Sequence, residues 1–407
     1  ISLTFKMLKI LIFLTVVSSG LCVFRFDNYT LYKVLPKNVD QIKSLQALEA
    51  SEFRFDFWSD PGPNAESVNI LSSPKDRGDL EYYLNKNAID FVKPYTRGNL
   101  RSMTFDAYHD NDQINAWLDD LATAYPDTVT PLVGGLSYEG REIRGIKISH
   151  GEGRKIIFIE GGIHAREWIS PATVIYLTNE LLTSNNEDAK AAANDFDWYI
   201  FPVTNPDGYI WTHTDFRLWR KNRRPVGTEF GIDLNRNWDN NWMGASTNPA
   251  SNTYAGTAPF SEPETRDLAA FIRSVGDKID LYLSFHSSGQ LLLLPYGNTT
   301  EPLGNYYDIN IGRRAMGALS VRYGTPYTTG NIAEAIYHAA GTSIDWVKEE
   351  LDVPLVYCYE LRDRGVYGHL LPPEQILPTS EETWDSVLDL IYQARRFGYL
   401  INDLGIK

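Results

Sequence analysis

KIIFIEGGIHAREWISP, residues 155–171, is the stretch on which the reading of this chain turns. Ile156 to Ile159 is an unbroken, mostly β-branched apolar run, the pattern of a strand buried on both faces, and Gly161 and Gly162 end it. Ser170 suits an N-cap and Pro171 the first helical position, so a helix is expected from about Ala172 into the ELL of 180–182. His164, Arg166 and Glu167 then fall in the loop beyond a strand's carboxyl end, where open α/β sheets hold their ligands. An imidazole and a carboxylate three residues apart can close on one metal ion, and nitrogen with oxygen donors suits zinc. His-x-x-Glu alone is mostly a surface-helix pattern; its place after a buried strand gives it weight.

At 407 residues the chain exceeds one average domain and predicts two or three units. Its 43% hydrophobic, 13% aromatic and 22% charged residues imply a substantial core. A net charge of -14 argues against a nucleic-acid partner, which needs a basic surface. Residues 1–22 read as leader and signal peptide: Met7, flanked by Lys6 and Lys9, precedes the apolar run ILIFLTVV (Ile10 to Val17) and the small residues of 18–20. That run is too short to span a bilayer and no longer one follows, so export without a membrane anchor is expected. With only Cys22 and Cys358, a core rather than a disulfide framework must hold the mature chain. Asn28 and Asn298 stand in glycosylation sequons, usable only on export.

Residues 23–101 predict a small α+β module. Its strands are YTLYKV (29–34) and FRFDFW (53–58), its first helix VDQIKSLQALEA (39–50), and a second helix and further strand lie within 76–92. The polar YTRGNLR that follows offers Arg97 and Arg101 to a trypsin-like protease. The module reads as a binding domain or a removable prosegment, and the chemistry after it favours the second. Residues 102–407 alternate helices (110–125, 261–275, 306–324, 380–400) with apolar strands (197–209, 279–287, 354–361), and a hairpin covers 131–149. That alternation predicts one large three-layer α/β domain on a mixed, mostly parallel sheet flanked by helices.

His286 ends the apolar LYLSF and so lies, like His164, at a strand's carboxyl edge. Alone it reads as a hydrogen-bonded core histidine; with His164 and Glu167 it completes the protein ligand set of a catalytic zinc. Glu360 closes LVYCYE, and a carboxylate after uncharged residues needs work or a partner. It is either a proton shuttle at a metal site or half of an ion pair with Arg362 or Arg364. RLWRKNRR (217–224) is the one concentrated basic run. Arg220 suits an oxyanion, Asn235 and Arg236 of GIDLNRNW suit a free carboxylate, and Tyr337 offers a phenolic donor on a loop able to close over substrate.

HAREW, TNPDGY, RLWRKNRR, DLNRNWD, SFHS with LLLLPYG, AIYHAAGTSIDW and ELRDRGVYGHLLP resemble, in order, the motifs of the zinc metallocarboxypeptidases, the digestive carboxypeptidase A and B family. The resemblance covers roughly residues 103–403, and the preceding module is similar to the family's propeptide. It implies one zinc held by His164, Glu167 and His286, with Glu360 as general base and Arg220 on the oxyanion. It also implies Asn235, Arg236 and Tyr337 as clamps on the substrate's terminal carboxylate, with Arg166 and Ser287 as further substrate contacts. Ile344 stands where the family's basic-residue enzymes carry an aspartate. With Leu293, Ile332, Ile336, Ala339 and Cys358 it predicts an apolar pocket of the A type, favouring aliphatic or aromatic C-terminal residues.

Four features depart from the family pattern: Cys358 for the usual threonine, Ser288 for a common tyrosine, His369 for an aromatic, and no cysteine pair around 229–252. The implied partners are peptide or protein C-termini, an activating trypsin-like protease and proteinaceous carboxypeptidase inhibitors. The expected setting is a secreted monomer in a digestive lumen, its prosegment blocking the cleft until cleavage at Arg97 or Arg101. The rival readings are a processing carboxypeptidase for basic or acidic ends and a non-catalytic peptide-binding homologue.

Overall fold

The computed structural model describes residues 30–51, 55–57, 61–62, 65, 67–73, 75–92, 103–301 and 306–401. The signal-like run, Cys22, Asn28, Arg97 and Arg101 lie outside them. The chain divides into two compact units, residues 1–97 and 98–407.

In the first unit β1 (Thr30–Leu35) leads through α1 (Val39–Ser51) to β2 (Asp56–Phe57), β3 (Val68–Ser72), α2 (Arg77–Lys86) and β4 (Asp90–Val92). The strands form an antiparallel sheet in the order β2-β3-β1-β4. Tyr32 and Val34 alternate inward about the exposed Lys33 and pack with Val68, Ile70, Leu45, Leu80 and Leu84, as a sheet covered on one face requires. Strand β3 was not expected from sequence, since VNILS is a five-residue run between polar stretches. Of the expected strand 53–58 only Asp56–Phe57 is strand; Phe53, Arg54 and Trp58 lie outside the described residues.

The second unit begins with α3 (Asn111–Ala124), which Asp110 and Gln113 start with a reciprocal capping box. Then come β5 (Val129–Leu136), β6 (Glu142–Ile148), β7 (Ile156–Gly161), α4 (Ile169–Thr183), α5 (Glu187–Asp195), β8 (Asp197–Phe201) and α6 (Pro206–Thr214). The short hairpin of β9 (Pro225–Val226) and β10 (Glu229–Phe230) precedes α7 (Pro263–Val275), β11 (Ile279–Ser287) and β12 (Leu291–Leu294). The chain closes with α8 (Tyr306–Tyr323), β13 (Thr328–Asn331), α9 (Ile332–Ala335), α10 (Ser343–Leu351), β14 (Leu355–Leu361) and α11 (Ile376–Arg396).

Eight strands make one mixed sheet, ordered β13-β12-β14-β11-β7-β8-β6-β5, with β14, β11, β7 and β8 parallel at its centre. Successive residues of the central strands serve opposite faces. Ile157, Ile159, Leu281, Leu283, Tyr357 and Tyr359 join the core beneath α3, α4, α8 and α11. Ile156, Phe158, Tyr282, Val356 and Cys358 face α7 and α10, and Phe158 stacks between Phe201 and Tyr282 at 5.6 and 5.3 Å. Each fully buried large apolar side chain contributes about 1.5–3 kcal/mol, so two filled faces hold the sheet rigid behind the site. This is the expected three-layer α/β architecture.

In this unit three elements differ by three residues or more from the sequence reading. Helix α4 starts at Ile169, not Ala172, and Ser170 is no cap: its hydroxyl accepts from Gly162 N–H and donates to the Phe285 carbonyl. Those two bonds tie the loop after β7 to β11. Strand β8 ends at Phe201, because Asn205 caps and Pro206 opens helix α6 where an extended chain to 209 was expected. Helix α11 runs over Ile376–Arg396 rather than 380–400. Among the described residues no helix is long and apolar enough to cross a membrane.

Candidate metal centre and active site

Three adjacent parallel strands deliver the site. Strand β7 ends at Gly161, and Gly162, at a φ of +65°, turns the chain where a Cβ would lie 3.0 Å from the Pro202 carbonyl. Backbone bonds from Glu167 N–H to the His164 carbonyl and from Ser170 N–H to the Glu167 carbonyl then fold His164 and Glu167 onto one side of the loop. His286 comes from β11 and Glu360 from β14, and the two are direct register partners, so their side chains leave the same face.

The result is a buried trio. His164 Nδ1 lies 3.0 Å from Glu167 Oε1, His286 Nδ1 lies 3.1 Å from Glu167 Oε2, and the two Nδ1 atoms are 3.0 Å apart. One ligand atom from each residue falls within 4.8 Å of the others. Nitrogen lone pairs and a carboxylate turned on one another in a dry pocket repel unless a cation joins them. Two nitrogens held by one tetrahedral zinc at about 2.05 Å would stand roughly 3.3 Å apart, so this donor set fits the metal.

Behind the trio sits a residue that the sequence reading did not single out. Asp233 is fully buried; its Oδ1 lies 3.1 Å from His164 Nε2, and its Oδ2 accepts from Arg220 Nε and Nη2 at 3.0 and 2.8 Å. A carboxylate on the far nitrogen fixes the tautomer that turns His164 Nδ1 toward the metal position. Burial pushes the Asp233 carboxyl up, but Arg220 and His164 outweigh it and hold the group well below its ordinary value. Asp233 carried the same signal as Glu360, a carboxylate within an apolar surround, Ile232 and Leu234.

Glu360 pairs with neither arginine weighed for it. Arg362 binds Glu382 through Nε at 2.7 Å, Arg364 donates to the Pro326 carbonyl, and among the described residues Glu360 has no hydrogen-bond or ion-pair partner. Burial pushes its carboxyl up to about 7 against the pull of His286. A carboxylate so poised can take and return a proton near neutrality.

The arginines divide the remaining tasks. Arg220 is clamped on Asp233 with Nη1 3.8 Å from Glu167 Oε1, which aims its guanidinium into the metal site. Arg236, buried, donates to the Asn235 carbonyl and to the Tyr337 hydroxyl at 2.9 Å, and no carboxylate pairs with it among the described residues. Asn235 Oδ1 accepts from Ser343 N–H at 2.9 Å, leaving its Nδ2 as a donor 3.4 Å from His286 Nε2. Half-buried Arg166 has an unpartnered Nε, and Ser287 donates its N–H to Glu167 while its hydroxyl is free. Tyr337 is half exposed, as a closing loop residue must be. The basic run 217–224 is no surface patch: Arg217 donates to the carbonyls of Arg166 and His369, Lys221 to those of Pro249 and Ser251, and Arg224 pairs with Glu262.

Of the six pocket candidates, Leu293, Ile332, Ala339, Ile344 and Cys358 share one buried cluster; Ile336, 41% exposed, stands outside it. Cys358 is a free, buried thiol.

A two-histidine, one-carboxylate centre at the carboxyl edge of a parallel sheet, with a poised glutamate beside it, defines a zinc hydrolase. Residues 114–386 match the zinc carboxypeptidase family and residues 32–92 the carboxypeptidase activation peptide. The chain is 51% identical to a zinc carboxypeptidase of Simulium vittatum over 72% of its length and 98% of that protein's. It is 44% identical to zinc carboxypeptidase A 1 of Anopheles gambiae over 92% of each. Bovine thrombin-activatable fibrinolysis inhibitor, solved in complex with tick carboxypeptidase inhibitor, superposes at a TM-score of 0.68 with 34% identity, over 72% of this chain and 99% of that one. The protein belongs to the zinc carboxypeptidase family and is a zymogen with an activation peptide ahead of its peptidase domain.

Proposed function

We propose that the peptidase domain removes single C-terminal residues with apolar or aromatic side chains, and that His164, Glu167 and His286 hold its zinc. The observation that carries this reading is Arg236, a buried cation without an anion partner among the described residues, set beside the amide of Asn235, whose Nδ2 has only a long 3.4 Å contact, to His286 Nε2, among the described residues. A substrate's terminal carboxylate satisfies both, so only the last peptide bond reaches the metal centre. Bound zinc supplies Lewis-acid polarisation of water and of the scissile carbonyl. Glu360 takes a proton from the attacking water and returns it to the leaving amine. Arg220, locked in place by Asp233, donates to the oxygen on which charge develops. Arg166 and Ser287 contact the substrate upstream, and Tyr337 closes over it.

The side chain released enters the space bounded by Leu293, Ile332, Ala339, Ile344 and Cys358, with Ile336 at its rim, where a lysine or arginine finds no partner. Residues 1–22 serve as leader and signal, 23–101 as the propeptide cut at Arg97 or Arg101 by a trypsin-like protease, and 102–407 as the enzyme. Secretion as a monomer into a digestive lumen and sensitivity to proteinaceous carboxypeptidase inhibitors complete the proposal. Peptides differing only in their last residue test it after limited trypsin treatment. Leu, Phe and Tyr ends are released at least about tenfold faster than Lys, Arg or Glu ends; preferred release of a charged residue refutes the apolar pocket.

A further inference from the structure

Asn298, Thr299 and Thr300 form the one N-x-T sequon among the described residues, Asn28 lying outside them. It falls in the irregular segment after β12, which ends at Leu294, and both Asn298 and Thr300 are exposed. A folded protein can keep a bulky oligosaccharide on an amide nitrogen only where that side chain reaches solvent, and Asn298 meets the condition.

The hydrogen bonds of Gly297 say what stands beside that amide. Its N–H donates to Asp345 Oδ2 at 2.9 Å, and its carbonyl accepts from Ala339 N–H at 2.8 Å. A Cβ on Gly297 would lie 3.2 Å from that of Ala339, so the two backbones run in contact. Ala339 belongs to the apolar pocket cluster and stands two residues beyond Tyr337, whose hydroxyl accepts from Arg236 at 2.9 Å. Ile336, Tyr337 and His338 are exposed on the same loop. Consecutive Cα atoms lie about 3.8 Å apart, so Asn298, next after Gly297, borders the loop that closes over substrate.

We propose that Asn298 carries an N-linked oligosaccharide at the rim of the substrate cleft, and that its bulk turns away folded proteins whose C-terminus lies close to their surface while short peptides still enter. The inference rests on the export and the closing loop of the function proposed above and adds selection by size to them. In the transfer a lipid-diphosphate oligosaccharide is the co-reactant. The Asn298 amide nitrogen forms a bond to C1 of the first sugar and gives up one proton, the C1–O bond breaks, and the lipid diphosphate leaves. A clash built against one class of occupant selects against it without touching contacts made by the other. Removal of the proposed propeptide takes Asn28 with it, so N-linked carbohydrate on activated enzyme reports on Asn298 alone.

The test uses the full chain exported by insect cells and activated with trypsin. An N-glycanase lowers the mass of activated native enzyme and of Thr300→Ser, and leaves Thr300→Ala and Asn298→Gln unchanged. The substrates are a short peptide and a folded protein that share the C-terminal residue the enzyme releases fastest. The kcat/KM for the peptide stays within about twofold across all four proteins, whereas the folded protein is trimmed at least about fivefold faster by Asn298→Gln, by Thr300→Ala and by deglycosylated native enzyme. Native enzyme bare at Asn298, or equal rates on the folded protein with and without the carbohydrate, overturns the inference. A chain that never leaves the cell brings down the export reading and this inference with it; a secreted, active chain bare at Asn298 removes this inference alone.

Discussion

Replacing Asp233 with asparagine separates metal binding from the chemistry that depends on it. The carboxylate receives Arg220 through two bonds on Oδ2, while Oδ1 serves both His164 Nε2 and the Asn235 N–H at 3.0 Å. An amide keeps one acceptor oxygen and turns its NH2 on either the guanidinium or the imidazole. Arg220 becomes a buried cation without its counter-ion, and the side chain that fixes the His164 tautomer loses its charge. Breaking one side of a buried pair costs about 3–5 kcal/mol, which lowers the Tm of a domain this size by about 5–15 °C. Loss of an outer carboxylate on a ligating histidine weakens zinc by about 10- to 100-fold.

Because the folded Asp233 carboxyl is held below its unfolded value of 3.8, its contribution is complete above that pH and is lost only as the pH falls further. The comparison therefore belongs at neutral pH, by competition for zinc against a chelator and by calorimetry. Unchanged zinc affinity together with an unchanged Tm would refute the bridging role of Asp233.

Glu264, buried with its carboxyl pushed by burial up to about 7, accepts from Tyr138 N–H and, at 3.3 and 3.4 Å, from Asn222. The folded pKa lies above the unfolded 4.5, so its stabilisation is present below that value and is lost as pH rises toward 7. Glu264→Gln should gain up to about 3 kcal/mol at pH 8 and little at pH 4, read from denaturant unfolding; parallel pH profiles for the two proteins contradict this. Gly341 has a φ of +69° and its Cβ would sit 2.3 Å from the Arg236 carbonyl oxygen. Gly341→Ala therefore displaces Arg236 and raises KM for peptides with a free C-terminus about tenfold or more, whereas an unchanged KM removes Arg236 from carboxylate recognition. Ile344→Asp places a carboxylate in the buried pocket and should shift release from Phe toward Lys and Arg by at least about 100-fold in the kcat/KM ratio; a ratio within a few-fold of the native one shows that Ile344 does not line the pocket.

The long elements of the peptidase domain were legible because their periodicity is strong and their ends are marked. Strand 279–287 is legible to the residue, since Leu281 to Leu283 and Phe285 make it mostly apolar and Asp277, Lys278, Ser288 and Gly289 flank it. The start of α4 is hidden in the sequence because Ser170 and Pro171 imitate a cap while the hydroxyl bonds across the loop instead. Strand β8 stops at Phe201 because Asn205 and Pro206 start a helix that continues the apolar character of the strand before it. His164, Glu167, His286 and Glu360 stood out as polar groups ending apolar strands or following them at once. Asp233, a carboxylate between Ile232 and Leu234, stands out less, because its importance depends on which loops become neighbours: His164 and Arg220 meet it only in the folded chain.

The most direct test pairs zinc content with turnover in Glu360→Gln after limited trypsin treatment. The geometry predicts one zinc per chain in both native enzyme and variant, with release of the C-terminal residue falling by at least about 1,000-fold in the variant. A variant that retains activity within about tenfold, or a native enzyme that hydrolyses peptides without bound zinc, contradicts the assignment of metal and base to these residues.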